Sequence, residues 1–182
     1  MNAKMKTAIW MVLSFSTFET IAQTTDWKLE DGKALAETRV VIKQSQDEIY
    51  KSINRWLISY FHNPEEHLKA KVHGEYLRGV AHVSEFFTSG RYNSADLQYT
   101  FIFEIKNDAV LFQITDALII YGGSQDADVD QGAVHKAEEF FIRVESAKKK
   151  KSNSDSESVI TALNNFSTSI FQSFENSILA KK

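Results

Sequence analysis

The chain contains no cysteine. That excludes a disulfide framework, a thiolate metal site, a cysteine nucleophile and a lipidated N-terminal cysteine, and it is compatible with an oxidising compartment. Proline occurs once, at Pro64. No glycine-rich loop is present to cradle a phosphate, since Gly122-Gly123 alone reads as a turn. A G-x-S-x-G elbow and an H-E-x-x-H helix are both missing, so the sequence carries no positive sign of hydrolytic chemistry. Beyond the N-terminal stretch no segment is apolar enough to cross a bilayer. Excess positive charge is lacking too: 21 Lys and Arg face 24 Asp and Glu, a net charge of −3. An acidic chain is a poor nucleic-acid binder, because that affinity comes mostly from neutralising phosphates.

What is present begins with an export signal. Lys4 and Lys6 form a short basic region, Thr7 to Phe18 is an uncharged and mostly apolar run, and Thr20-Ile21-Ala22 offers small residues at the −3 and −1 positions of a cleavage site. The run is too short for a permanent membrane helix. Residues 1–22 are therefore expected to be a signal peptide, and a periplasmic or secreted location follows. Their removal takes away Lys4, Lys6 and Glu19 and leaves 19 basic against 23 acidic residues, a net charge of −4. Residues 23–182 are expected to form a single domain, long enough for a sizeable core.

That domain is organised around residues 97–121. Leu97, Tyr99, Phe101, Phe103 and Ile105 recur at every second position, the period of a half-buried strand. Asn107-Asp108 supplies a two-residue turn, since both residue types tolerate positive φ. The turn sets the register: Ile105 faces Val110, Phe103 faces Phe112 and Phe101 faces Ile114 on an oily side. Glu104 with Leu111, Ile102 with Gln113, and Thr100 with Thr115 make a mixed side. Asp116 then falls opposite Tyr99 on the oily side, where a bulge or strand end is expected.

Around this hairpin, Thr38 to Lys43 reads as a first strand, preceded by a polar leader anchored by Trp27. Ser45 with Glu48 forms a capping box ahead of a helix whose stripe is Ile49, Ile53, Trp56, Leu57 and Tyr60. Asn63-Pro64 ends it. His67–His73 and Tyr76–Phe87 are strands, with Gly79 marking a bulge or a close backbone approach. Residues 88–96 have loop chemistry. Residues 134–147 read as a helix with Ala137, Phe140, Phe141 and Val144 on one side. Lys148–Lys151 and the serine-rich stretch after it read as a solvated linker. Val159, Leu163, Phe166, Ile170, Phe174 and Ile178 mark a long C-terminal helix at 156–179. The predicted class is α+β: an antiparallel sheet of about five strands in β-α-β4-α order, helices packed on one face, and an additional helix before the C-terminal one.

This order and spacing resembles a family of small secreted bacterial domains of unknown function with a fold like that of the TATA-binding protein. The resemblance covers residues 38–121. It rests on the strand-cap-helix segment ending in Trp56-Leu57, the glycine-bearing strand around Gly79, and Tyr99 to Asp116 with Lys106-Asn107-Asp108 at the turn and Thr115-Asp116 closing the second strand. It implies a curved sheet and export, transfers no catalytic residue, and leaves the acidic loop and helix at 124–147 unplaced.

Three functional readings stand. The first is a non-catalytic binding or interaction module that meets a protein or small ligand through the mixed outer face of the sheet, at Ile102, Leu111, Gln113 and Thr115, with no cofactor and no nucleic acid. A second copy of the chain is one candidate partner, reached through the C-terminal helix, although packing of that helix in cis is the expectation. The second reading is a calcium or metal module in the acidic loop. Asp126, Asp128 and Asp130 alternate, Gly132 follows, and Glu138 lies six residues later, close to the spacing of an EF-hand loop but with glycine and glutamate each one position late. Its bland counterpart is a solvated loop. His62 and His67 around Pro64-Glu65-Glu66, and the pair His73 and His82, have ligand chemistry for zinc but also suit ordinary connections. The third is a hydrolase whose site the sequence hides; Asp116, His82 and some serine would be its ingredients, with no spacing to support them.

Overall fold

In the computed structural model, residues 23–24, 26–89, 92–106, 108–122, 133–147 and 154–180 are described. Residues 1–22, expected as a signal peptide, the acidic-loop aspartates and the four-lysine run lie outside them.

The central hairpin has the register that its alternation requires. β6 (Tyr92–Lys106) pairs with β7 (Ala109–Tyr121), with Ile105 opposite Val110, Phe103 opposite Phe112, Phe101 opposite Ile114 and Ile102 opposite Gln113. A one-residue slip would turn every one of these rings to the wrong face. At the turn Asp108 has φ of 60°, the left-handed region its residue type tolerates. The register shifts between Gln98 and Thr100, and Asp116 takes φ of 50°. The alternation breaks at this bulge: Ile114 and Ala117 are both buried, and the Asp116 side chain is exposed.

Around this hairpin the sheet runs β1 (Gln23–Thr24), β3 (Lys33–Val41), β7, β6, β5 (Tyr76–Ser89), β4 (Leu68–Val72), all antiparallel. β2 (Lys28–Glu30) pairs with β3, and β8 (Val134–Lys136) pairs with β7. Five long strands are expected and five are present, but β3 begins at Lys33 rather than Thr38, so the second half of the expected polar leader is strand, and the three short strands extend the edges. β1 and β2 share the outer edge of β3. Between them Trp27 turns inward, 5% exposed, its backbone N–H donating to Asn164 Oδ1 and its indole N–H to the Leu163 carbonyl, both at 2.9 Å.

α1 (Gln46–Phe61) starts at a complete capping box. Ser45 Oγ accepts from the Glu48 N–H, and the Glu48 carboxylate accepts from the Ser45 N–H. A short α2 (Pro64–His67) follows, and β4 then lies exposed along the sheet's edge, where Lys69 and Lys71 discourage edge-to-edge pairing. α3 (Ala137–Ala147) and α4 (Ser154–Leu179) complete the chain. Two further sequence expectations are corrected here. Of residues 88–96, expected as loop, 88–89 continue β5 and 92–96 continue β6, because the two strands stay paired out to Ser89 and Tyr92. Residues 134–136, expected as the first turn of a helix, are strand, because β7 runs past the end of β3 and offers its edge to them.

The buried sides of α1, α3 and α4 meet the inner face of the sheet in one core. At its centre Phe103 stacks on Phe112 with centroids 4.2 Å apart, while Trp56 meets both rings and Phe174 edge-on at 5.4–5.8 Å. Each such pair adds about 0.5–1.5 kcal/mol beyond the area it buries. Thr38, the polar exception on the inner face of β3, is fully buried and donates to Glu175 Oε1 of α4 at 2.8 Å. Among the described residues no helix is long and apolar enough to cross a membrane.

Candidate functional site

With three helices committed to the inner face, the outer face of the sheet is built from cross-strand rows. One row is Leu35, Thr115, Thr100 and Val80. The next is Glu37, Gln113, Ile102 and Arg78, and a third is Arg39, Leu111, Glu104 and Tyr76. Ile102, Leu111, Gln113 and Thr115 therefore do share one face and sit in adjacent rows. All four are half-buried by their neighbours. Apart from Thr100 and the small Ala109 beside the turn, no outward side chain of β5, β6 or β7 among the described residues is fully buried.

Polar contacts order part of this face. Glu37 accepts from Gln113 Nε2 at 3.0 Å and from Lys28 Nζ at 3.1 Å, and Lys28 also meets Glu30 at 3.1 Å. Burial works to raise the Glu37 pKa, but the hydrogen bonds from Gln113 and Lys28 outweigh it and hold the carboxyl below its ordinary value.

The outer face deepens where the bulge breaks it. A cleft of about 700 Å³ is lined by Val80, Gln98, Thr100, Ala117 and Leu118, with Asp31, Lys33, Arg78, Asp116, Lys136, Glu138 and Glu139 around them. That volume lies within the range of small-ligand sites. Its shape follows from the topology. β3 accompanies β7 as far as Thr115 and β8 joins only at Leu118, so Asp116 and Ala117 lie in neither ladder. Glu138, at the start of α3, bridges part of the gap: its Oε1 accepts from the Ala34 N–H at 3.2 Å. Its Oε2 and the Tyr99 hydroxyl are buried with no hydrogen-bond partner among the described residues. Glu139 accepts from His135 Nδ1 at 3.0 Å, and Arg143 lies 3.4 Å away. The bond from His135 holds its carboxyl below the usual range, with burial opposing. Arg78 and Asp116 face each other at 3.9 Å, a loose ion pair.

Of the residues singled out in the sequence, Glu138 and Asp116 line the cleft, and the four outer-face residues lie in rows on its flank. Asp126, Asp128 and Asp130 are outside the described residues. β8 carries Glu138 back along β7, past the level of Leu118 and away from the end of the hairpin where the acidic loop begins. The histidines are dispersed. His67 Nδ1 donates to the Val80 carbonyl at 3.2 Å, His73 lies 3.1 Å from Asp47, and His82 lies 3.2 Å from Asp96. Asp116 and His82 thus have different partners. Among the described residues no group of three or more His, Asp and Glu is placed to hold a metal ion. The cleft lysines escaped sequence reasoning, since isolated charges on five separate elements look like solvated surface. The one legible signal was the misfit of Asp116 in the alternation.

No family model matches the chain. No curated protein matches it either. Two solved structures share its fold. One is a TBP-like protein from Parabacteroides distasonis, 15% identical, with a TM-score of 0.65, covering 83% of this chain and 96% of that one. The other is a DUF4468 family protein from Bacteroides ovatus, 16% identical, with a TM-score of 0.62, covering 84% and 90%. The chain therefore has a TBP-like fold, as the sequence resemblance implied. Neither neighbour's name carries an activity.

Proposed function

Taking the TBP-like fold as the premise, we propose that the protein is an exported, non-catalytic binding module that recognises a partner or ligand on the open outer face of its sheet. One observation carries the reading. The helices gather on the inner face, while the outer face combines half-buried Ile102 and Leu111 with the hydrogen-bonding groups of Gln113 and Thr115 and a cleft beside them. Apolar residues interspersed with polar ones suit a recognition surface. Export is supported by the basic region, the apolar run and the Thr20-Ile21-Ala22 spacing.

The test is an affinity capture from a periplasmic or culture-medium fraction, using the mature protein and its Leu111→Glu and Ile102→Glu variants. Variants that fold normally and lose the captured partner support the reading. Retention of the same partner by both variants contradicts it.

A second reading is that Asp126, Asp128, Asp130 and Glu138 hold calcium and so stabilise the fold or a contact. Its one support is that Glu138 Oε2 is buried with no hydrogen-bond partner among the described residues, while the course of β8 away from the loop's end of the hairpin weighs against it. Calorimetric titration with calcium decides the matter, and absence of heat at millimolar ion ends the idea.

A further inference from the structure

The charges lining the cleft differ in how they are already satisfied. Glu138 is held by the Ala34 amide, Glu139 by His135 and Arg143, and Asp116 only loosely by Arg78. The ammonium groups of Lys33 and Lys136 have no carboxylate within ion-pair distance among the described residues, and the Asp31 carboxylate has no cation there. Both signs are thus left available in one concavity. Its floor is small and mildly apolar at Val80, Ala117 and Leu118, with Thr100 and Gln98 as hydrogen-bonding groups. Asp116 and Ala117 add a piece of strand that neither β3 nor β8 pairs with.

We infer that the cleft at the Asp116 bulge takes a short peptide with both termini charged, its carboxylate directed to Lys33 and Lys136 and its ammonium group to Asp31 and Asp116. This rests on the outer-face reading and specifies its ligand. A purely anionic ligand would meet Asp31 and Asp116 unfavourably, and a purely cationic one would meet Lys33 and Lys136. A ligand carrying both charges at its ends satisfies each set, and its amide groups can bond to Gln98 and Thr100. Small residues fit the Val80, Ala117 and Leu118 floor.

The experiment is a calorimetric titration of the full chain, at low salt, with trialanine, N-acetyl-trialanine, trialanine amide and free alanine. Trialanine is expected to bind saturably. Masking either terminus should weaken binding about fivefold, the size of a solvent-facing ion pair. In the Lys33→Glu, Lys136→Glu double variant the advantage of trialanine over its amide should vanish. In Asp116→Asn its advantage over the acetylated form should shrink. Equal binding of all three tripeptide forms, or none by any, overturns the inference, and free alanine binding as well as trialanine overturns the peptide in favour of an amino acid. If these titrations fail while Leu111→Glu still abolishes capture of a partner, only the peptide assignment falls. If both fail, the outer-face reading falls with it.

Discussion

The ring of Phe101 lies over Gly79, its partner across the β5–β6 ladder, and occupies the space that a side chain at Gly79 would need. Phe61, at the end of α1, stacks on the same ring at 5.2 Å and 19°. The glycine therefore serves a close approach of ring to backbone, one of the two roles its position in a strand suggested. Gly79→Ala should lower stability by about 1–3 kcal/mol, because the added methyl must push Phe101 into Phe61. Urea unfolding reads the loss. A variant as stable as the wild type would mean that the ring moves aside freely.

Trp27 ties the leader to α4 and should be a large single contributor for so short a segment. Trp27→Phe removes the indole bond to the Leu163 carbonyl and should cost about 1 kcal/mol, leaving that backbone acceptor to the helix. Trp27→Ala also empties the site and should cost about 3–5 kcal/mol. Equal effects of the two substitutions in denaturant titrations would show that the hydrogen bond, not the packing, matters.

Ser45→Ala removes one half of the capping box and should destabilise the protein by about 1 kcal/mol. Ser45→Asp, which keeps an acceptor at the helix N-terminus, should recover most of it. Thermal melts of the pair supply the comparison.

Much of this architecture is legible in the sequence. The hairpin register followed from alternation plus a two-residue turn, and α1 followed from a cap, a stripe and a proline. These signals are local and redundant, so tertiary context had nothing to override. β8 was misread because three residues are too few to show a period, and Val134 and Ala137 fit a helical stripe equally well. The extension of β5 and β6 to Ser89 and Tyr92 was masked by turn-like residues that the ladder nevertheless carries. The outer-face residues were legible as a set because they share the hairpin's second face. The cleft was not: Lys33, Arg78, Asp116 and Lys136 come together only through the handover of β7's edge from β3 to β8.

Acid should weaken the fold partly through Glu37. Its carboxyl titrates below the ordinary value of 4.5, with burial opposing the shift and the bonds from Gln113 and Lys28 producing it. A carboxyl with a lowered folded-state pKa contributes stability above its unfolded value, and that contribution disappears as pH falls through the folded value. Stability should therefore decline as pH drops below about 4.5. In Glu37→Gln the decline should be shallower, as read from urea midpoints at successive pH values. An unchanged acid slope would place the linkage elsewhere.

The division of the sheet into a core face and a free face is tested most directly at Leu111 and Phe112, neighbours in β7 that point in opposite directions. The measurement is the unfolding free energy of Leu111→Glu and Phe112→Ala in urea. Leu111→Glu sets a carboxylate between Arg39 and Glu104 and should cost no more than about 1 kcal/mol. Phe112→Ala should cost about 3–5 kcal/mol, because it opens the aromatic core beneath Trp56. A Leu111→Glu variant as unstable as Phe112→Ala would show that the outer face is buried structure and contradict its assignment as a recognition surface.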